Sequence, residues 1–279
     1  MVRTALIQMT SGDNPEENLI NTLNYLREAK AGGAEFALTP EVTNCISGSR
    51  SHQKSVLRLE ADDPTLAAIR SEARVLGIWV LIGSLALVTN DKDGRFANRS
   101  FLISPKGEIA ARYDKIHMFD VEVSQTETYR ESAHFRPGEA AVTGKTDFGT
   151  IGLTVCYDLR FAYLHRALAK AGADILTVPA AFSAVTGAVH WEPLLRARAI
   201  ETGCFVLAPA QTGVHYVKNG NERRTYGHSM VVAPWGEVLA DAGTDCGVSF
   251  VDLDMEKVAQ ARKRVPSLDH DRRFDGPST

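Results

Sequence analysis

Cys156 closes the apolar run "TIGLTV", and two ionisable side chains stand at comparable places: Glu41 follows "FALTP" and Lys115 follows "EIAARYD". A thiol, a carboxylate and an ammonium form a complete set for attack on a carbonyl. The thiolate is the nucleophile. A carboxylate tuned by burial and a nearby cation can take the thiol proton, and the ammonium can hold the oxyanion that forms. Free cysteine is also among the most buried residue types, so Cys156 can equally be an inert strand residue. Of the 8 histidines, none sits in a context that marks it as a base for a thiol; His117, beside Lys115, comes nearest.

The elements that must carry these residues alternate between strand and helix signals. "RTALIQM" reads as a strand. "NPEENLINTLNYLREAKAGG" reads as a helix with Asn14 as N-cap, Pro15 in the first turn and Glu17 placed for a capping box. "EFALTP" is a short strand ending at Glu41. A second helix runs from the Asp63 cap and Pro64 to Gly77. Strands "IWVLIGSLALV" and "NRSFLISPKGEIAARYDK" follow, then strand "TIGLTV", helix "RFAYLHRALAKAG", strand "DILTVPAA", helix "HWEPLLRARAIETG" and strand "CFVLAPAQ". The chain closes with hairpin "GHSMVVAPWGEVLADA", strand "VSFVDLD" and helix "MEKVAQARKRV".

This alternation specifies an α/β fold. "RSFLISPKGEIAA" aligns with "HSMVVAPWGEVLA", each a strand, a Pro-x-Gly turn and a returning strand, and "FALTPE" resembles "ILTVPA". The expectation is two similar halves in one domain over residues 1–265, with a polar tail over 266–279. In α/β sheets, ligands gather beyond the carboxyl ends of strands, which is where Glu41, Lys115 and Cys156 fall. Strand alternation would put Cys156 with Gly152 and Thr154 on the less apolar face.

Composition bounds the partners. The 279 residues are 44% hydrophobic and 23% charged, ordinary for a globular protein. A net charge of -3 gives no electrostatic case for nucleic acid or an anionic membrane. The longest apolar run, Ile78 to Val88, is too short to span a bilayer, and "MVRTALIQM" enters a strand with no signal-peptide pattern. The 4 cysteines, at 45, 156, 204 and 246, form no CxxC pair. The expectation is a reduced, cytoplasmic protein with no metal.

"TPEV" around Glu41, "RYDKIHMFDVEV" around Lys115 and "GLTVCYDLRF" around Cys156, in that order, resemble the three catalytic motifs of the nitrilase superfamily of carbon–nitrogen hydrolases. The resemblance runs from "ALIQM" to "VSFVDLD". It implies a four-layer α-β-β-α sandwich, a homodimer or larger homo-oligomer, and amide hydrolysis through a cysteine thioester with no cofactor. Cys156 would attack, Glu41 would act as base, and Lys115 with the Tyr157 N–H would hold the oxyanion. Glu131, in "RESAHFRPG", matches a further glutamate that orients the lysine. Longer stretches, such as "CYDLRFAYLHRALAKAGADILTVPAAFSAVTGAVHW" and "APAQTG", are most similar to the branch that hydrolyses deaminated glutathione. The sequence departs from that pattern at Ala162, where many relatives carry proline.

Such a substrate carries carboxylates, which arginine suits. Arg160 and then Arg130 are the expected readers. Phe182, Thr186 and Trp191 fall on a loop that the resemblance places at the pocket, while Asp158 is expected to fix the turn after the nucleophile. Other readings on the same triad are an omega-amidase acting on 2-oxoglutaramate and an N-carbamoyl-amine hydrolase. A binding protein on the same scaffold and a Cys-His peptidase are the remaining alternatives.

Overall fold

The computed structural model of the chain describes residues 1–123, 127–218 and 223–277, so the last two positions of the expected tail lie outside the described residues. The first half runs β1 (Val2–Gln8), α1 (Pro15–Ala31), β2 (Phe36–Leu38), α2 (Arg50–Val56), α3 (Pro64–Leu76), β3 (Trp79–Leu87), β4 (Ala97–Ile103) and β5 (Ile109–Asp114). A small hairpin, β6 (Asp120–Glu122) and β7 (Thr128–Arg130), leads to β8 (Val142–Thr146). The second half runs β9 (Gly149–Leu153), α4 (Ala162–Lys170), β10 (Ile175–Thr177), α5 (Ala184–Thr202), β11 (Phe205–Ala208), hairpin β12 (Thr212–His215) and β13 (Arg223–Tyr226), then β14 (Met230–Val232), β15 (Val238–Asp241), β16 (Gly247–Leu253) and α6 (Glu256–Arg264).

The two halves repeat one topology. One sheet has the order β16-β1-β2-β3-β4-β5 and the other β15-β14-β11-β10-β9-β8. In each, three consecutive strands are parallel, β1-β2-β3 and β9-β10-β11. An antiparallel hairpin then follows, β4-β5 or β14-β15. The turns of these hairpins match bond for bond. Gly107 N–H donates to Ser104 O at 2.9 Å, and Gly236 N–H donates to Ala233 O at 2.8 Å. Both glycines have positive φ, 76° and 99°, which explains glycine at the fourth turn position.

Period-two alternation builds the layers. Leu6, Leu38, Leu81 and Leu102 are in register across β1 to β4 and face the second sheet's Ile151, Ile175 and Phe205, themselves in register across β9 to β11. Their neighbours Ile7, Ala37, Val80 and Phe101 pack on the other face against Leu26 of α1 and Leu66 and Ile69 of α3. On the far side, Leu164 and Leu168 of α4 and Leu195 and Ala199 of α5 cover the second sheet. The result is the expected four-layer α-β-β-α sandwich.

Local readings differ from the sequence at three places. At α1, the Asn14 Oδ1 accepts from Glu16 N–H at 3.1 Å, but Glu17 accepts from the Asn14 side chain at 2.9 Å, so the cap is shared between side chains. The helix expected from His190 begins earlier, at Ala184, and takes in the supposed pocket loop. β9 ends at Leu153, and Cys156 opens a separate turn, so strand alternation does not set its direction. Among the described residues, no helix is long and apolar enough to cross a membrane.

Candidate active site

The carboxyl edges of the two sheets meet at a cavity of about 890 Å³. Glu41 lies three residues beyond β2. β5 is antiparallel to β4, which is antiparallel to β3, so β5 runs with β2 and delivers Lys115 to the same edge. β4 starts at that edge and supplies Asn98, whose carbonyl accepts from Lys115 N–H at 2.9 Å. Cys156 arrives from the opposing sheet after β9, and its N–H donates to Pro179 O, just past β10, at 2.9 Å.

Gly83 in β3 explains how the two edges come so close. A Cβ there would lie 2.1 Å from Thr39 O and 2.5 Å from the Pro179 side chain. Only glycine lets β3 pass between the two similar segments that follow β2 and β10.

Lys115 binds both glutamates. Its Nζ lies 2.9 Å from Glu41 Oε1 and 2.9 and 2.8 Å from the two oxygens of Glu131. Asn98 Nδ2 donates to the same pair, at 2.9 Å to Glu41 and 3.3 Å to Glu131. The other Glu41 oxygen accepts from Ala181 N–H at 2.8 Å. The side chains of Glu41, Lys115, Asn98 and Cys156 are buried.

The electrostatics follow from this arrangement. Burial opposes charge on Glu41, but Lys115, Arg223 and the Ala181 N–H outweigh it and hold the carboxyl below its usual value. Burial also opposes charge on Lys115, and Glu131 with Glu41 reverses this and raises its pKa. Burial and the negative Glu41 push the Cys156 thiol well above its ordinary value. The resting site therefore holds an ionised carboxylate, an ammonium and a neutral thiol.

Cys156 has φ of +49°, a left-handed conformation that costs a non-glycine residue energy. Asp158 secures that turn. It accepts from Val155 N–H at 2.8 Å, Tyr113 Oη at 2.7 Å and His117 N–H at 3.1 Å, and it lies 2.6 Å from His117 Nδ1. His117 in turn stacks on Phe161, ring centroids 3.5 Å apart. One buried carboxylate thus ties the turn bearing Cys156 to the segment after Lys115.

The structure brings together Glu41, Lys115, Cys156 and Glu131, with Tyr157, Arg130 and Phe182 on the same cavity wall. Arg130 is exposed and paired with Glu122 at 2.7 Å. Three other expected residues stand outside that wall. Arg160 lies over the rings of Tyr157 and Phe182, 5.8 and 5.4 Å from their centroids, and meets His190 at 3.3 Å. Thr186 and Trp191 are on helix α5 rather than a loop; the Trp191 ring is fully buried under Phe182 and donates to His228 O at 2.8 Å. Sequence reasoning missed Asn98, Tyr129 and Arg223, which also line the cavity.

A family profile described as carbon-nitrogen hydrolase matches residues 3–263. A deaminated glutathione amidase of Yersinia enterocolitica is 38% identical over 269 residues, 96% of this chain and 92% of that protein. A deaminated glutathione amidase of Rattus norvegicus is 40% identical over 272 residues, 96% of this chain and 81% of that one. Among solved structures, the C. elegans NitFhit protein superposes with a TM-score of 0.89 at 34% identity, covering 97% of this chain. The present chain spans 65% of that longer one.

Proposed function

This chain belongs to the carbon–nitrogen hydrolase family, and from that premise we propose that it hydrolyses deaminated glutathione to 2-oxoglutarate and cysteinylglycine. The observation that carries the chemistry is Lys115 held at 2.9 Å from Glu41 in the buried wall that also bears Cys156. The substrate comes from the relatives of that name, which match 95–96% of this chain.

Cys156 Sγ attacks the amide carbonyl while its proton passes to Glu41. With a thiol pushed up and a carboxyl held down, this transfer is uphill at rest. It becomes favourable as the S–C bond forms and the negative charge moves onto the carbonyl oxygen beside Lys115. The Tyr157 N–H supplies a second donor to that oxygen. Glu41 gives the proton to the leaving nitrogen as the C–N bond breaks, leaving a thioester. Glu41 next takes a proton from water, the hydroxyl adds to the thioester carbonyl, and the thiol departs reprotonated. Glu131 keeps Lys115 aimed at the oxyanion, and Phe182 walls the acyl side.

The catalytic unit is residues 1–265 with 266–279 as a tail, and it works as a homodimer in the cytoplasm. The exposed apolar residues Tyr163 on α4 and Val185 and Val189 on α5 support the association; the free thiols at 45, 156, 204 and 246 suit a reducing compartment. The test is product identification. Deaminated glutathione should release cysteinylglycine with a kcat/KM well above that for ammonia release from 2-oxoglutaramate. The reverse preference would make the protein an omega-amidase.

A further inference from the structure

We infer that Arg223, on β13, reads a carboxylate of the substrate. Four cationic side chains line the cavity among the described residues: Lys115, Arg130, Arg223 and Arg224. Lys115 is committed to Glu41 and Glu131, and Arg130 to Glu122. Arg224 is exposed. Arg223 is half-buried, and among the described residues its guanidinium meets no carboxylate within 4.0 Å.

The fold fixes Arg223 in place. β13 lies against the segment after β10, with Tyr226 N–H donating to Phe182 O at 3.0 Å. One Arg223 Nη donates to Ala181 O at 2.6 Å, and the guanidinium stacks 5.5 Å from the Tyr129 ring centroid. Its Nε–H is buried with no partner among the described residues. A planar cation held by a carbonyl and an aromatic face, with no carboxylate of the described residues within 4.0 Å, is built to receive an anion. A carboxylate matches that fork, and a neutral amide does not.

Ala181 also ties Arg223 to the chemistry. Its N–H donates to Glu41 Oε2 and its carbonyl accepts from Arg223. A bound carboxylate would therefore set the substrate's distance from Glu41 through a single residue, Ala181. Arg223 also helps keep Glu41 ionised, so its test must separate reading of the substrate from tuning of the base.

The amidase reading supplies only the probe, 2-oxoglutarate. Its binding is measured by calorimetry to the Cys156→Ala protein, alone and combined with Arg223→Met or Arg223→Lys, at one pH. The expected result is weakening on the order of 100-fold with methionine and partial recovery with lysine. Should the methionine variant fail to fold, the lysine variant and Arg223→Gln carry the comparison. Equal affinity in all variants, or no binding to the parent, overturns the inference. With the measurement made near neutral pH, where Glu41 stays ionised, a role confined to tuning Glu41 would leave binding unchanged and would instead move the acid limb of kcat/KM. If turnover of deaminated glutathione is absent yet Arg223-dependent binding persists, the substrate assignment fails and this inference stands.

Discussion

Lys115 Nζ and Glu41 Oε1 lie 2.9 Å apart with both side chains almost wholly buried, 2% and 4% exposed. A pair so placed is expensive to break from one side, because the partner's charge stays behind without solvent. Here Lys115 serves two carboxylates, so its loss leaves Glu41 and Glu131 facing each other. Lys115→Met should lower stability by about 3–5 kcal/mol in urea unfolding and abolish turnover. A variant as stable as the parent would show that the pair is not held as described.

The pH dependence follows from Glu41. Its folded pKa lies below the ordinary 4.5. Its contribution to stability is therefore present above about 4.5 and is lost as pH falls through the lowered folded value. The acid limb of kcat/KM should likewise lie below 4.5 in the free enzyme, with a plateau through neutral pH. An acid limb near pH 6 would mean that Glu41 is not the base, or is not held ionised.

Asn98 sharpens that point, since its Nδ2 donates to both glutamates. Asn98→Asp replaces the donor with a third carboxylate. The acid limb should move up by about one pH unit or more, with kcat reduced. A purely structural role would lower activity at every pH and leave the limb in place.

Asp158 holds three donors in a buried setting. Asp158→Ala strands the Val155 N–H and the Tyr113 hydroxyl and frees a turn whose Cys156 sits at positive φ. The expected cost is about 3 kcal/mol, and alkylation of Cys156 should lose its contrast with the exposed Cys246. An unchanged melting temperature would contradict the clamp.

The sequence made Glu41, Lys115 and Cys156 visible because each follows a run that reads as a strand, apolar before Glu41 and Cys156 and alternating before Lys115, and strand ends converge. The repeat was visible in the Pro-x-Gly turns at Gly107 and Gly236. Asn98 carried no such mark: it lies inside β4, and only antiparallel pairing with β5 sets it beside Lys115. Arg223 reaches the cavity through the β12-β13 hairpin, a placement no local pattern encodes. The early start of α5 was hidden by "AVTGAVH", whose β-branched residues and glycine are poor helix formers. Once Ala184 begins the helix, Trp191 turns inward against Phe182 and becomes core.

The central claim is a thioester on Cys156. Intact-protein mass spectrometry after rapid mixing with a slowly hydrolysed amide should show one adduct with the mass of the acyl group, mapped to Cys156 and absent from a folded Cys156→Ala variant. An active enzyme that accumulates no adduct under any trapping condition, carries it elsewhere, or turns over without the Cys156 thiol would contradict the account.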